Sequence, residues 1–159
     1  MVFDDDSAGE AADIVAIRIL GGMAAPTAIE VMLCHCKYSI SAQPGHRIDD
    51  LYVVCGQAQK SVAWACSDNK RSDIFTHLLR REKDRINNGR PTRFELGDID
   101  LLQTIREMSY MLPVSLSVAI VQPGLSCAGV SPDQLQLLGV TENYLMETYQ
   151  LPFEVIASA

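Results

Sequence analysis

No apolar run in this 159-residue chain reaches the roughly 18 residues that a membrane-crossing helix requires. The acidic N-terminus also lacks the basic and then apolar stretches of a secretory leader, so a cytoplasmic protein is expected. No P-loop, dinucleotide fingerprint or H-E-x-x-H helix occurs. Ser126 and Cys127 follow Pro123-Gly124 without the G-x-S-x-G elbow that would make a hydrolase nucleophile there. Bases are scarce: 13 Lys and Arg face 20 Asp and Glu, and the net charge of -7 is unfavourable for a phosphate-rich partner. A disulfide framework is not indicated either. The 5 cysteines are odd in number, and several lie within apolar patterned segments, as reduced buried thiols do. Internal repeats, low-complexity tracts and long linkers are missing as well.

What remains is an ordinary globular composition, 48% apolar and 21% charged, which fits one domain over residues 1–159 with a core of its own. Its charge is unevenly spread. The first 13 residues carry Asp4, Asp5, Asp6, Glu10 and Asp13 and no base. The stretch 70–93 holds Lys70, Arg71, Arg80, Arg81, Lys83, Arg85, Arg90 and Arg93 against Asp73, Glu82 and Asp84. The global sign argues against nucleic acid and the local stripe argues for it. A solvated helix face is the bland alternative for that stripe.

Periodicity orders the chain. Asp13–Leu20 and Ile29–Ser39 read as two strands joined by a glycine- and proline-punctuated turn, a hairpin with a long loop. From Ile48 the spacing becomes helical, with Ile48, Leu51, Tyr52, Cys55, Gln59, Val62 and Cys66 on one broad stripe. Ser72 or Asp73 can cap a second helix that stops at Gly89, and Asp98 a third that ends before Pro113. Leu116–Gln122 reads as a strand closed by Pro123-Gly124. A helix from Ser131-Pro132 to about Tyr149 and a final strand, FEVIAS, follow. The predicted order is β-β-α-α-α-β-α-β, an α/β domain with a mixed sheet flanked by helices.

The chemistry concentrates in Ile29–Lys37. A period of two puts Ile29, Val31, Leu33, His35 and Lys37 on one face, so His35 and Lys37 project together at the end of an apolar row. A lysine there needs an anionic partner or an escape to water. Asp13, at the start of the neighbouring strand, is a candidate carboxylate, although Asp is also common simply as a strand-initiating turn residue. Cys34, His35, Cys36 and Cys55 raise the option of zinc. Structural zinc pairs are usually C-x₂₋₄-C, however, and strand alternation turns Cys34 and Cys36 away from His35.

The string GEAADIVAI (Gly9–Ile17), then IEVMLCHCKYS (Ile29–Ser39), a Pro-Gly turn and a helix resembles the restriction-endonuclease core of the PD-(D/E)xK nucleases, in particular the Mrr type. In outline the resemblance spans most of the chain, but only about 30 residues carry its motif content. The strings DLYVVCGQAQKSVAW (Asp50–Trp64) and VAIVQPGLS (Val118–Ser126) look like the nuclease-like end of large bacterial helicase or defence ATPases. The resemblance implies a restriction-endonuclease-like fold and a metal-dependent DNA endonuclease using Mg²⁺ or Mn²⁺. Its partners would be DNA and the remainder of a larger helicase or ATPase assembly, with self-association as a further option.

Carried over by position, Asp13 matches the metal-binding aspartate and Lys37 the lysine that orients the attacking water. Cys36 is the intervening residue, whose backbone carbonyl can ligate metal; Glu10 is an accessory acid; Gln57 is the polar helix residue aimed at the site. His35 is a departure, since that position is normally Glu, Asp or Gln. It shifts metal preference toward Mn²⁺, or else marks a decayed module that binds DNA or a partner subunit without cutting. The helix that usually precedes the Asp strand is also missing, so the chain reads as the end of a longer protein. Lys60, Arg80, Arg81, Lys83, Arg90 and Arg93 are the candidate nucleic-acid contacts.

Overall fold

A computed structural model of the chain describes residues 1–39, 43–66 and 68–159, with the side chains of 68–70, and hence that of Lys70, outside the description. Its centre is the predicted hairpin. β2 (Ile14–Leu20) and β3 (Ala28–Cys36) pair antiparallel from Ile14↔Cys34 to Leu20↔Ala28. The turn between them depends on Gly21, which has φ +78 and where a Cβ would lie 2.2 Å from the Ala25 carbonyl oxygen, so no side chain fits. β3 alternates cleanly: Ile29, Val31, Leu33 and His35 are buried, while Glu30, Met32 and Cys34 are half-buried. On that second face an exposed Arg18–Glu30 ion pair bridges the hairpin, so this side meets solvent.

β5 (Val114–Ser126) lies parallel to β3 on its other side, and β6 (Phe153–Ser158) runs parallel to β5. Two short strands, β1 (Val2–Asp4) and β4 (Phe94–Leu96), complete a six-stranded mixed sheet in the order β4-β1-β2-β3-β5-β6. Both were absent from the predicted order, which becomes β-β-β-α-α-β-α-β-α-β. Three residues leave no readable period, and tertiary contact decides them. Phe3, fully buried, stacks edge-to-face on Phe94 at 5.1 Å.

The four helices are α1 (Asp49–Lys60), α2 (Asp68–Asn87), α3 (Ile99–Met108) and α4 (Pro132–Asn143), with a 3₁₀ turn at Ser61–Trp64 and a π turn at Tyr144–Thr148. α1 packs on β3 and β5, α2 on β5 and α3, and α4 on α1. Two caps form as expected. The Asp98 side chain accepts the Leu101 N–H, and Ser131 with Gln134 makes a capping box. Gly89, at φ +68, follows the end of α2.

Several details differ from expectation: α3 ends at Met108, ahead of the residues just before Pro113, and β3 ends at Cys36 and not at Ser39. α2 begins at Asp68, before Ser72 and Asp73. The buried stripe of α1 is Leu51, Val54, Cys55 and Ala58, whereas Tyr52 is 69% exposed and Ile48 and Cys66 are also exposed. That helix is apolar on more than one side, and the sheet, not the period, chooses the face. Pro123-Gly124 does not end β5. It makes an irregularity between Gln122 and Ser126, where a missing N–H is tolerated and the Gln122 side chain accepts the Gly124 N–H. No helix among the described residues is long and apolar enough to cross a membrane.

The acidic N-terminal segment is folded onto α2. Asp5 is fully buried, ion-pairs with Arg81, faces His77 at 3.4 Å and accepts the Ala11 N–H at 2.7 Å. Replacing Arg81 with Met should therefore lower stability by about 3–5 kcal/mol, the usual cost of stranding one charge of a buried pair. Urea denaturation at neutral pH measures it.

Candidate functional site

The loop from Asp4 to Ala12 is built by its own acids. Asp4 accepts the Asp6 N–H at 3.0 Å, Glu10 accepts the Ser7 N–H at 2.9 Å, and Asp5 takes that of Ala11. The loop's carbonyls are gathered from the other side by two arginines. Arg81 donates to the Asp5 and Ala8 carbonyls and to Ser7 Oγ. Arg93, only 6% exposed, donates to the Asp4 and Asp6 carbonyls and also to Ser7 Oγ. Glu82 in turn fixes the approach to β4 by accepting from Thr92 Oγ1 and the Arg93 N–H.

This bracing brings carboxylate oxygens of Asp6, Glu10 and Asp13 within 4.8 Å of one another. Among the described residues, no Lys or Arg side chain forms an ion pair with any of the three. Like charges held so close favour a cation between them. Asp13 sits one residue before β2, so the ladder places it opposite His35. Its Oδ2 accepts the Cys36 N–H at 2.6 Å and lies 3.9 Å from His35 Nδ1. His35 is 4% exposed; Nε2 meets Ser61 Oγ at 2.8 Å, while Nδ1 has no hydrogen-bond partner.

A cleft of about 590 Å³ opens beside this cluster, lined in part by Asp6, Glu10, His35, Gln57, Lys60 and Trp64. Gln57 comes from α1, as its position after the motif strand suggested, and its buried Oε1 is also unpartnered. Lys60 is an exposed cation at the end of the same helix. The structure thus gathers Glu10, Asp13, His35, Cys36 and Gln57, and adds Asp6 and Ser61, which sequence reasoning missed. Three consecutive aspartates look alike in sequence, and only the fold turns Asp5 inward while leaving Asp6 exposed beside Glu10. Ser61 had a possible signal, since it stands one helical turn after Gln57 and shares its face.

Lys37 is placed differently. Its N–H donates to the Val121 carbonyl at 3.0 Å, continuing the β3–β5 ladder. Its half-exposed ammonium makes no ion pair within 4.0 Å among the described residues, and it is not part of the cleft wall. The basic stripe also divides. Arg81 and Arg93 are turned inward onto the acidic loop, which leaves Lys60, Arg80, Lys83 and Arg90 as the exposed cations of the predicted set. Burial, reinforced by Arg81 and Arg85, pulls the Arg93 guanidinium below its usual range.

Burial also raises the thiols of Cys34 and Cys36, the latter to about 11 with help from Cys34 and Asp13. Protonated thiols are poor metal ligands, which agrees with their position away from His35. Burial lowers His35 below 6.5; Asp13 opposes the shift and Lys60 adds to it. Below pH 6.5 the unfolded chain therefore takes up a proton that the folded chain refuses, so this residue's contribution to stability falls as pH drops toward the lowered value and is constant above. His35→Gln should flatten that part of the profile, as measured by urea midpoints between about pH 5 and 8. Set against models of protein families, curated proteins and solved structures, the chain matches none.

Proposed function

We propose that the chain is a divalent-metal-dependent phosphodiester hydrolase acting on DNA, a nuclease domain of the PD-(D/E)xK type. The observation that carries this reading is the convergence of Asp6, Glu10 and Asp13 beside the unpartnered Nδ1 of a buried histidine, at the wall of a cleft. Hard oxygen donors without a Lys or Arg partner among the described residues, and a buried nitrogen with no hydrogen-bond partner, fit a metal centre. Asp13, Glu10 and Asp6, whose oxygens converge, would hold the ion, with His35 Nδ1 a nitrogen donor on the Asp13 side and the Cys36 backbone beside Asp13. When bound, such an ion lowers the pKa of a coordinated water and polarises a phosphoryl oxygen.

The remaining work falls to the chain. Cys36 N–H orients the Asp13 carboxylate, and Gln57 offers the cleft an oxygen and an amide. Lys60 brings positive charge to the cleft for a phosphate oxygen. Lys37, two residues beyond His35, would be the charge that stabilises developing negative oxygens, as the resemblance implies. Arg80, Lys83 and Arg90 extend the exposed positive surface along α2 and the loop after it. This nuclease is best read as one module of a larger restriction or helicase-type machine.

One observation favours a second reading, a module that binds DNA or a partner subunit without cutting: the Lys37 ammonium engages none of the three carboxylates. Nicking of supercoiled plasmid with Mg²⁺ or Mn²⁺ separates the two. Under the enzyme reading, Asp13→Ala and Lys37→Ala each reduce the wild-type rate at least about a hundredfold. Activity that survives both assigns cutting to another site. A wild type that retards duplex DNA but nicks it in neither metal establishes the second reading.

A further inference from the structure

We infer that Ser61 is the positioning residue of this centre: by partnering Nε2 of His35 it leaves Nδ1 as an imidazole donor beside Asp13, and so makes the centre selective for a transition dication such as Mn²⁺ over Mg²⁺. The inference rests on the metal-centre reading above and names the metal class that reading leaves open.

The geometry is local and closed. Ser61 is 1% exposed and forms the C-cap of α1, its backbone N–H bonded to the Ala58 and Gln59 carbonyls, so its hydroxyl is carried by a fixed helix end. That hydroxyl lies 2.8 Å from Nε2. On the opposite side of the ring, Nδ1 is buried, lacks a partner and stands 3.9 Å from Asp13 Oδ2. That separation is too long for a hydrogen bond. Metal–ligand bonds of roughly 2.0–2.2 Å keep two ligands of one ion within about 4.4 Å, so both atoms fall within the reach of a single ion.

A neutral imidazole carries one proton, and its position decides which nitrogen can donate a lone pair. Ligation through Nδ1 requires the proton on Nε2, and only an acceptor at Nε2 makes that tautomer comfortable in a buried site. Ser61 Oγ is the atom in place to accept it. A hydroxyl also donates, so the same residue can satisfy Nε2 in the other tautomer when Nδ1 is protonated. The ring keeps a single proton throughout, and only the nitrogen bearing it changes.

Selectivity follows from the donor set. Carboxylates alone suit Mg²⁺, Ca²⁺ or Mn²⁺ equally in kind, whereas an ion shared between Asp13 and the His35 imidazole is one that accepts nitrogen, and Mn²⁺ accepts both donors. Removing the Nε2 acceptor should therefore weaken the nitrogen-accepting ion specifically.

The test measures binding without turnover. Mn²⁺ affinity is read from the electron paramagnetic resonance of free Mn²⁺, and Mg²⁺ affinity by competition, for the wild type, Ser61→Ala, Ser61→Thr and Asp13→Ala. The wild type should prefer Mn²⁺ by at least about tenfold. Ser61→Ala should weaken Mn²⁺ by about 10–100-fold, the usual effect of removing a ligand's outer hydrogen-bond partner, and leave Mg²⁺ within about threefold. Ser61→Thr, which keeps the hydroxyl, should restore the preference. Thermal melts of the metal-free proteins check folding, and if Ser61→Ala does not fold, Ser61→Cys, with a weak acceptor of similar size, is read in its place with the same expectation.

Equal losses of Mn²⁺ and Mg²⁺, or no loss of either, overturn the role of Ser61 while Asp13→Ala still abolishes binding and upholds the centre. A wild type that binds neither ion overturns both.

Discussion

Asp5 has no surface exposed to water, and its negative charge is met inside the protein by Arg81, by the Ala11 amide and by His77. A buried pair of this kind contributes little net stability compared with an apolar one, because desolvation cancels most of the attraction. What it does here is fix a path. It ties the segment after β1 to α2 across 76 positions of sequence, and it sets where the chain must turn before β2. Arg93, buried among carbonyl oxygens, closes the same loop from the β4 side. With both arginines in place, the loop has little freedom, and the acids that it carries are displayed in a small space.

This division of labour explains the uneven charge of the sequence. The acidic N-terminus and the basic stretch near α2 looked like two independent surfaces, one repelling and one attracting a phosphate backbone. In the fold they are partly one structure. The arginines that hold the loop act through its carbonyls and through Asp5, so the carboxylates of Asp6, Glu10 and Asp13 stay without a cationic side-chain partner among the described residues. Carboxylates so close repel one another, and a bound cation would relieve that repulsion.

Much of the architecture was legible because its elements are long enough to carry a period. The β2–β3 hairpin, the caps at Asp98 and Ser131 and the stop at Gly89 all rest on local chemistry, and all formed. β1 and β4 did not announce themselves, since three residues show no alternation and their stability comes from Phe3 against Phe94. At the site, Asp13 could be placed on the strand beside His35, but the register that sets the two opposite one another comes from the fold. Asp6 could not be told from Asp4 and Asp5, because burial of the middle aspartate is a property of α2 and not of the acidic run. The burial of Arg81 and Arg93 was hidden for the same reason, as composition counts a guanidinium without saying which way it turns. Lys37 followed strand periodicity in the sequence, yet strand β3 ends one residue before it.

The bond from the Cys36 amide to Asp13 has a consequence for how this site tolerates change. A carboxylate oriented by a main-chain donor is insensitive to the side chain attached at that position, and the Cys36 thiol, held protonated, contributes no charge. The bond itself thus does not depend on which side chain stands at position 36, with one chemical exception. Proline lacks the donor hydrogen, and there it would release the carboxylate without altering any charge.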